Sequence, residues 1–422
     1  MINWCLRRSR VPLALEMALA LACVVLTVGR VVAADNSPPL DPVRVRELMR
    51  RAQSGETLSR EDQDYLDYAR ERIRQRALKA KSADKGVPGA GVRFVNSFTN
   101  LVPLTDLTDR YKGQDGGLYG GGHNQPPSAH WTAYLKESAG VRPLGSVGEA
   151  SADRKVGLVI IGFSNTMLEA EDFKRTADAD PEKSARVVIV NGAMGGRAAV
   201  MWAYDGASLL PEVEQKRVDG EMDVLHMPKE DRRGSKDTWP TLDSRVRAAG
   251  LTSNQVQVLW MKHVDAQPGL LGEFPAHARA LQADMADVVL LAKKHFPNVR
   301  VAYFSSRTFG GWSSPTSGSP EPFAYESAFA VRWLVQAQIA GDATLNFDPA
   351  HGQVNAPLLL WGPYLWACGD RPRADGVVWS LDDVRANDHL HPSAAGCRKV
   401  TKMLLDFLKH DEGARRWFVA SR

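Results

Sequence analysis

Cysteine is scarce in this chain. Four occur in 422 residues, and two of them, Cys5 and Cys23, fall near the N-terminus. A disulfide-dense scaffold is therefore excluded. Long apolar runs are also lacking: nothing after residue 35 stays apolar for the roughly 18 residues that a membrane span needs. No excess of one charge sign is present, with 53 Lys and Arg against 49 Asp and Glu and a formal net charge of +4. No basic stripe interleaved with aromatics stands out, so no nucleic-acid partner is expected. No internal repeat is visible, which argues against a solenoid.

What is present begins with the N-terminus. Arg7, Arg8 and Arg10 precede a mostly apolar stretch from Val11 to Gly29, and Val32-Ala33-Ala34 then places small residues before Asp35. This three-part pattern reads as a secretory signal over residues 1–34 and implies a secreted or periplasmic protein. Contact with a membrane is expected only if that segment is retained as an anchor. In an oxidising compartment the remaining pair, Cys368 and Cys397, is expected to form a disulfide, with two separate buried thiols as the alternative.

Residues 35–90 form a charged helical leader. Asp41-Pro42 starts one helix and Gly55 stops it, and the capping-box pattern Ser59-Arg60-Glu61-Asp62 opens a second through about Lys81. Residues 91–150 are rich in glycine and proline and are expected to pack as loops on the core. His123 and His130, seven apart, match no standard zinc spacing and read as loop histidines. From 151 to 412 strands and helices alternate. The apolar runs Val156–Ile161, Arg186–Val190, Val256–Met261 and Val299–Phe304 read as buried parallel strands. Helical stretches at Pro275–His295, Tyr325–Ile339 and Ser393–Lys409 intervene, and 211–243 reads as an insertion. The pattern is that of an α/β fold of three layers, α/β/α, with a mainly parallel, flavodoxin-like sheet.

Sites in such sheets lie past the carboxyl ends of the strands. The first strand is followed by Gly162-Phe163-Ser164-Asn165, the second by Gly195-Gly196-Arg197, and the last helix is preceded by Asp388-His389-Leu390-His391-Pro392. A serine hydroxyl needs a base within hydrogen-bond reach to attack a carbonyl, and the base needs a carboxylate to fix its tautomer. Asp388 and His391, three apart, can supply both from one short segment, with His389 as a rival base.

These three segments, in this order over roughly 155–410, resemble blocks one, two and five of the SGNH (GDSL-type) hydrolases. The resemblance implies an ester hydrolase without a cofactor or a metal, acting on acyl or acetyl esters, often of carbohydrates or lipids. Carried over by position, Ser164 is the nucleophile, His391 the base and Asp388 its orienter. The backbone N–H groups of Ser164 and Gly196 form the oxyanion hole, with Gly195 as the neighbouring alternative. One departure stands out. The third strand runs into Lys262-His263-Val264-Asp265-Ala266-Gln267, without the asparagine that the family uses as an oxyanion donor, and Lys262, His263 or Gln267 is left to replace it. That departure motivates the alternative of an inactive glycan-binding or surface protein on the same fold. Trp312, Trp361, Tyr364 and Trp366 either border the cleft or are simply buried, and Arg197 and Arg307 read by default as solvated.

Overall fold

The computed structural model describes residues 58–69, 100–151, 154–203, 237–265, 268–314 and 319–420, together with Arg44 and Leu48. The signal segment and the first leader helix lie outside the described residues. The second leader helix is described over 60–69, and the hydroxyl of Ser59 accepts the N–H of Asp62 at 3.1 Å, as the capping pattern implies. Among the described residues no helix is long and apolar enough to cross a membrane.

Five strands form one sheet: β1 (Val156–Gly162), β2 (Val187–Asn191), β3 (Val256–Lys262), β4 (Val301–Phe304) and β5 (Leu358–Trp361). Their order is β2-β1-β3-β4-β5 and every pairing is parallel. This is the flavodoxin-like order, whose reversal between β1 and β3 opens a crevice at the carboxyl ends. Every residue of the central strands β1, β3 and β4 is buried, so their sequences are continuous apolar runs rather than alternating ones.

Among the described residues eight helices accompany the sheet: α1 (Ser128–Ala139), α2 (Ser164–Asp178), α3 (Ala199–Trp202), α4 (Thr238–Ala248), α5 (Ala276–His295), α6 (Phe323–Ile339), α7 (Ala394–His410) and α8 (Arg415–Phe418). α2 packs on α7, and α5 packs on α6 and α3. The α7 stripe Cys397, Val400, Leu404 and Leu408 recurs at helical spacing and is buried, while Lys402 and Asp406 face solvent. Burying three such aliphatic side chains contributes about 1.5–3 kcal/mol each. Ser393 caps α7 by accepting the N–H groups of Ala395 and Gly396.

The glycine-rich loop of the 91–150 region lies on α6 and the edge strand β5. Trp361 Nε1 donates to Leu118 O at 2.8 Å, Gln336 Nε2 donates to Tyr119 O at 2.8 Å, and Arg332 Nη1 donates to Asp115 O at 2.6 Å. His130 belongs to α1 rather than to a loop. It is buried and its Nε2 donates to Leu359 O at 2.8 Å, covering a carbonyl of β5, and burial lowers its pKa. His123 is exposed, and among the described residues no group of His, Cys, Asp and Glu could hold a metal ion.

The structure decides four points that the sequence left open or misplaced. Cys368 and Cys397 are two buried thiols not bonded to each other, each with its pKa raised by burial. β5 is a strand whose four-residue run, between Pro357 and Gly362, was too short to separate from loop. The end of the 211–243 segment already belongs to α4. Trp361, Tyr364 and Trp366 are buried with their polar atoms engaged, by Leu118 O, the N–H of Leu104 and Glu321, so none of the three offers a ring face to a cleft.

Candidate active site

β1 ends at Gly162 because space runs out there. A Cβ on Gly162 would stand 2.4 Å from Lys262 O and 2.7 Å from Thr166 Cβ. Phe163 is extended (φ −104°, ψ −165°) and the chain turns directly into α2, whose first residue is Ser164. The helix start has no side-chain cap and no acid in its first turn, so its N–H groups point outward unclaimed by a capping residue. Thr166 Oγ1 donates to Lys262 O at 2.9 Å and ties this first turn to the end of β3.

The segment before α7 meets it there. Asp388 Oδ1 accepts the N–H groups of Leu390 and His391, both at 2.9 Å, and its Oδ2 takes the Nδ1–H of His391 at 2.8 Å. His391 Nε2 lies 2.9 Å from Ser164 Oγ. With its Nδ1 proton turned to the carboxylate, the ring leaves Nε2 free to accept from the serine hydroxyl. Burial pushes the Asp388 carboxyl up. The two N–H donors and the His391 ring outweigh that push, and the group sits below the usual carboxylate range. His389, the rival base, occupies the left-handed position of the turn (φ 49°), and the partner of the hydroxyl is His391.

Backbone bonds within the turn and one side chain from α2 hold it. Arg385 N–H donates to His391 O at 2.8 Å, His389 N–H donates to Arg385 O at 2.8 Å, and Asn165 Nδ2 donates to Leu390 O at 3.0 Å. Asn165 is buried, so its amide is the clasp between the serine helix and the histidine loop. Nothing in its local sequence announces this, because its partner lies 225 residues away.

The turn after β2 carries the other glycines. Met194 N–H donates to Gly162 O at 3.0 Å, which brings this turn against the end of β1. Gly196 has φ 72°, a backbone that a side chain would strain, whereas Gly195 has open space around its Cβ position. Both are exposed.

Buried charges lie between α2 and the ends of β3 and β4. Lys262 and Glu169, each fully buried, form an ion pair between β3 and α2. Burial lowers the Lys262 pKa and raises that of Glu169, and each partner draws the other back. Arg307, three residues beyond β4, is 1% exposed rather than solvated. Its guanidinium carbon lies 5.4 Å from the centre of the Phe163 ring, and Lys262 Nζ lies 5.9 Å from it. Of the three residues left to replace the missing asparagine, Lys262 has its ammonium on Glu169 and Gln267 lies outside the described residues. His263 is buried against Trp202, with neither ring nitrogen hydrogen-bonded among the described residues and its pKa lowered to about 3 by burial.

A hydroxyl, an imidazole and a carboxylate are linked in line at the uncapped start of a 15-residue helix, with the side chains of His391 and Asp388 26% and 30% exposed. No protein-family model, no curated protein and no solved structure matches this chain.

Proposed function

We propose that this chain is an exported serine ester hydrolase of the SGNH type, acting on an acetyl or acyl ester of a carbohydrate. The observation that carries the reading is the unbroken chain of hydrogen bonds from Ser164 Oγ through His391 to Asp388, at 2.9 and 2.8 Å. Its supports are the strand order, with the serine just past the end of β1, and the sequence order of the serine, glycine and Asp-x-x-His segments.

In the proposed reaction Ser164 Oγ attacks the ester carbonyl carbon while His391 Nε2 takes the hydroxyl proton. Asp388 holds the ring and stabilises the imidazolium that forms. The N–H groups of Ser164 and Gly196 receive the negative oxygen of the tetrahedral intermediate. The alcohol leaves with the proton from His391, and the acyl group remains on Ser164. Water then attacks the acyl carbon with His391 as base, the Oγ–acyl bond breaks, and the carboxylic acid departs. No cofactor enters.

The test is hydrolysis of p-nitrophenyl acetate by the purified chain beside Ser164→Ala. Turnover that falls by at least about 10³ in the variant, with the fold retained, supports the reading. Undiminished turnover in Ser164→Ala overturns it. Glycan binding by a chain that turns over no ester, natural esters included, would favour a binding protein on the same fold.

A further inference from the structure

We propose that Arg307 is an electrostatic element of this site, its buried guanidinium placing positive potential where the reaction of Ser164 creates negative charge. The inference rests on the esterase reading for its purpose, and on geometry for its substance.

Arg307 follows β4, and Ser164 follows β1, so both stand at the carboxyl edge of the same sheet. The guanidinium lies against Phe163, the residue immediately before the nucleophile. A buried cation kept for stability is normally hydrogen-bonded to a carboxylate. Here Nε and Nη1 have no hydrogen-bond partner among the described residues. The two carboxylates that feel Arg307 through space are committed elsewhere. Glu169 pairs with Lys262, and Glu321 accepts the N–H groups of Gly310 (2.9 Å), Tyr325 (2.9 Å) and the Trp366 indole (2.8 Å).

Glu169 and Lys262 sum to zero whichever of them holds the shared proton. Burial lowers the Arg307 pKa only to about 10, so it is cationic at neutral pH, and the negative charge of Glu321 that faces it is shared out among three N–H groups. Arg307 therefore acts on the uncapped start of α2, which Phe163 precedes, in a medium of low polarisability, where a unit charge is felt more strongly than in water. The same field opposes a second positive charge on His391. The other charged groups around that ring are Asp388 on its own turn, Arg385 at the turn's start, and the Lys399–Asp383 ion pair between α7 and the preceding turn.

Arg307→Met keeps apolar volume and removes the charge, and Arg307→Lys keeps the charge. With p-nitrophenyl acetate, a neutral ester, Arg307→Met should lower kcat about 10- to 100-fold with KM nearly unchanged. Phenylboronic acid provides a second reading: the Ser164 Oγ–H adds to trigonal boron, the proton passes to His391, and boron becomes a tetrahedral anion. Its binding should weaken by a similar factor. The acid limb of kcat/KM should move to higher pH, because a positive charge that opposes protonation of the site is gone. Arg307→Lys should recover most of each effect. Glu321→Gln, which removes a negative charge facing Arg307, should move the limb to lower pH, and it serves if Arg307→Met does not fold.

Unchanged kcat, boronate binding and pH limb in Arg307→Met would overturn the proposal and leave Arg307 a packing residue. A loss confined to the KM of an acidic ester, p-nitrophenyl hydrogen succinate, would overturn it in favour of substrate recognition. Titration of the His391 ring by NMR in the Ser164→Ala background reads the field without turnover, so a failed esterase reading and a failed Arg307 reading give different results.

Discussion

Two buried carboxylates, Glu326 in the first turn of α6 and Glu169 in the second turn of α2, lie in helices that follow strands, and the molecule treats them in opposite ways. Glu326, in α6, is matched on both oxygens: Oε1 accepts from Tyr111 Oη (2.6 Å) and Lys112 Nζ (2.8 Å), and Oε2 pairs with His277 Nε2 (2.7 Å). Glu169, in α2, has Lys262 on one oxygen and no hydrogen-bond partner on the other among the described residues. The contrast extends to the neighbours. Around Glu326 an aromatic shell of Tyr111, Phe274, Tyr325 and Phe329 closes edge to face. Beside Glu169, Arg307 leaves Nε and Nη1 without a hydrogen-bond partner among the described residues, whereas in the Glu326 shell the unmatched atom is Tyr325 Oη. An unmatched buried polar group costs on the order of 1–3 kcal/mol. A fold retains several together where their fields serve a site rather than stability. The Glu326 cluster pins the 104–124 loop to α6. The Glu169 cluster joins β3 to α2, the helix that begins at Ser164.

The largest effect that would sharpen this contrast is in the Lys262–Glu169 pair. Lys262→Met removes one partner and leaves a carboxylate in a fully buried place. The expected loss is about 3–5 kcal/mol, read as a fall in the urea midpoint. The double variant Glu169→Leu/Lys262→Met should regain most of it, because an ion pair replaced by well-packed apolar groups is often neutral. If the double variant were no more stable than the single one, the pair would be a net stabiliser, and the contrast with Glu326 would lose its basis.

A smaller effect is expected on the other side. Glu326→Ala strips the acceptor from a tyrosine hydroxyl, a lysine and a buried histidine. Lys112 is 44% exposed and can turn to water, whereas His277 cannot, so a cost of about 2–4 kcal/mol is expected. The kcat toward p-nitrophenyl acetate should stay within about twofold of wild type. A large fall in kcat with little change in stability would reverse the roles assigned to the two clusters.

These two clusters also mark where sequence stops being legible. Asp388 and His391 were readable because the turn that joins them is local: carboxylate, two N–H groups and imidazole lie within four residues. The strands were readable because burial on both faces demands an unbroken apolar run, as in Val156–Ile161. Glu169 and Lys262 were not, since 93 residues separate them and each alone looks like an ordinary surface charge. Tyr111 and Glu326 are 215 apart and pose the same problem. Arg307 was read as solvated because nothing in Ser305-Ser306-Arg307 tells a buried arginine from an exposed one. Of the residues weighed as replacements for the family's asparagine, Lys262 is committed to Glu169, and His263, its pKa lowered to about 3 by burial, has no side-chain hydrogen bond among the described residues.

The smallest expected effect is one of pH. Burial pushes the Glu326 carboxyl up, but its bonds to His277, Lys112 and Tyr111 prevail and hold it below its ordinary value. A carboxylate whose folded pKa is depressed binds fewer protons in the folded state than in the unfolded one across that interval. Its contribution is therefore complete above the unfolded value of about 4.3 and is lost as pH falls through the lower folded value. Glu326→Gln carries no such proton linkage, so the stability gap between wild type and Glu326→Gln should be widest near neutrality and should narrow below about pH 4. For Glu169 burial prevails and holds the carboxyl above its ordinary value, so acidification does not draw stability from that site in the same way. Urea midpoints for wild type and Glu326→Gln at neutral pH and near pH 3 decide it. A gap that stays constant with pH would mean that the Glu326 carboxylate gains nothing from its three donors beyond what a neutral amide gains, and the satisfied cluster would then be a matter of shape rather than charge.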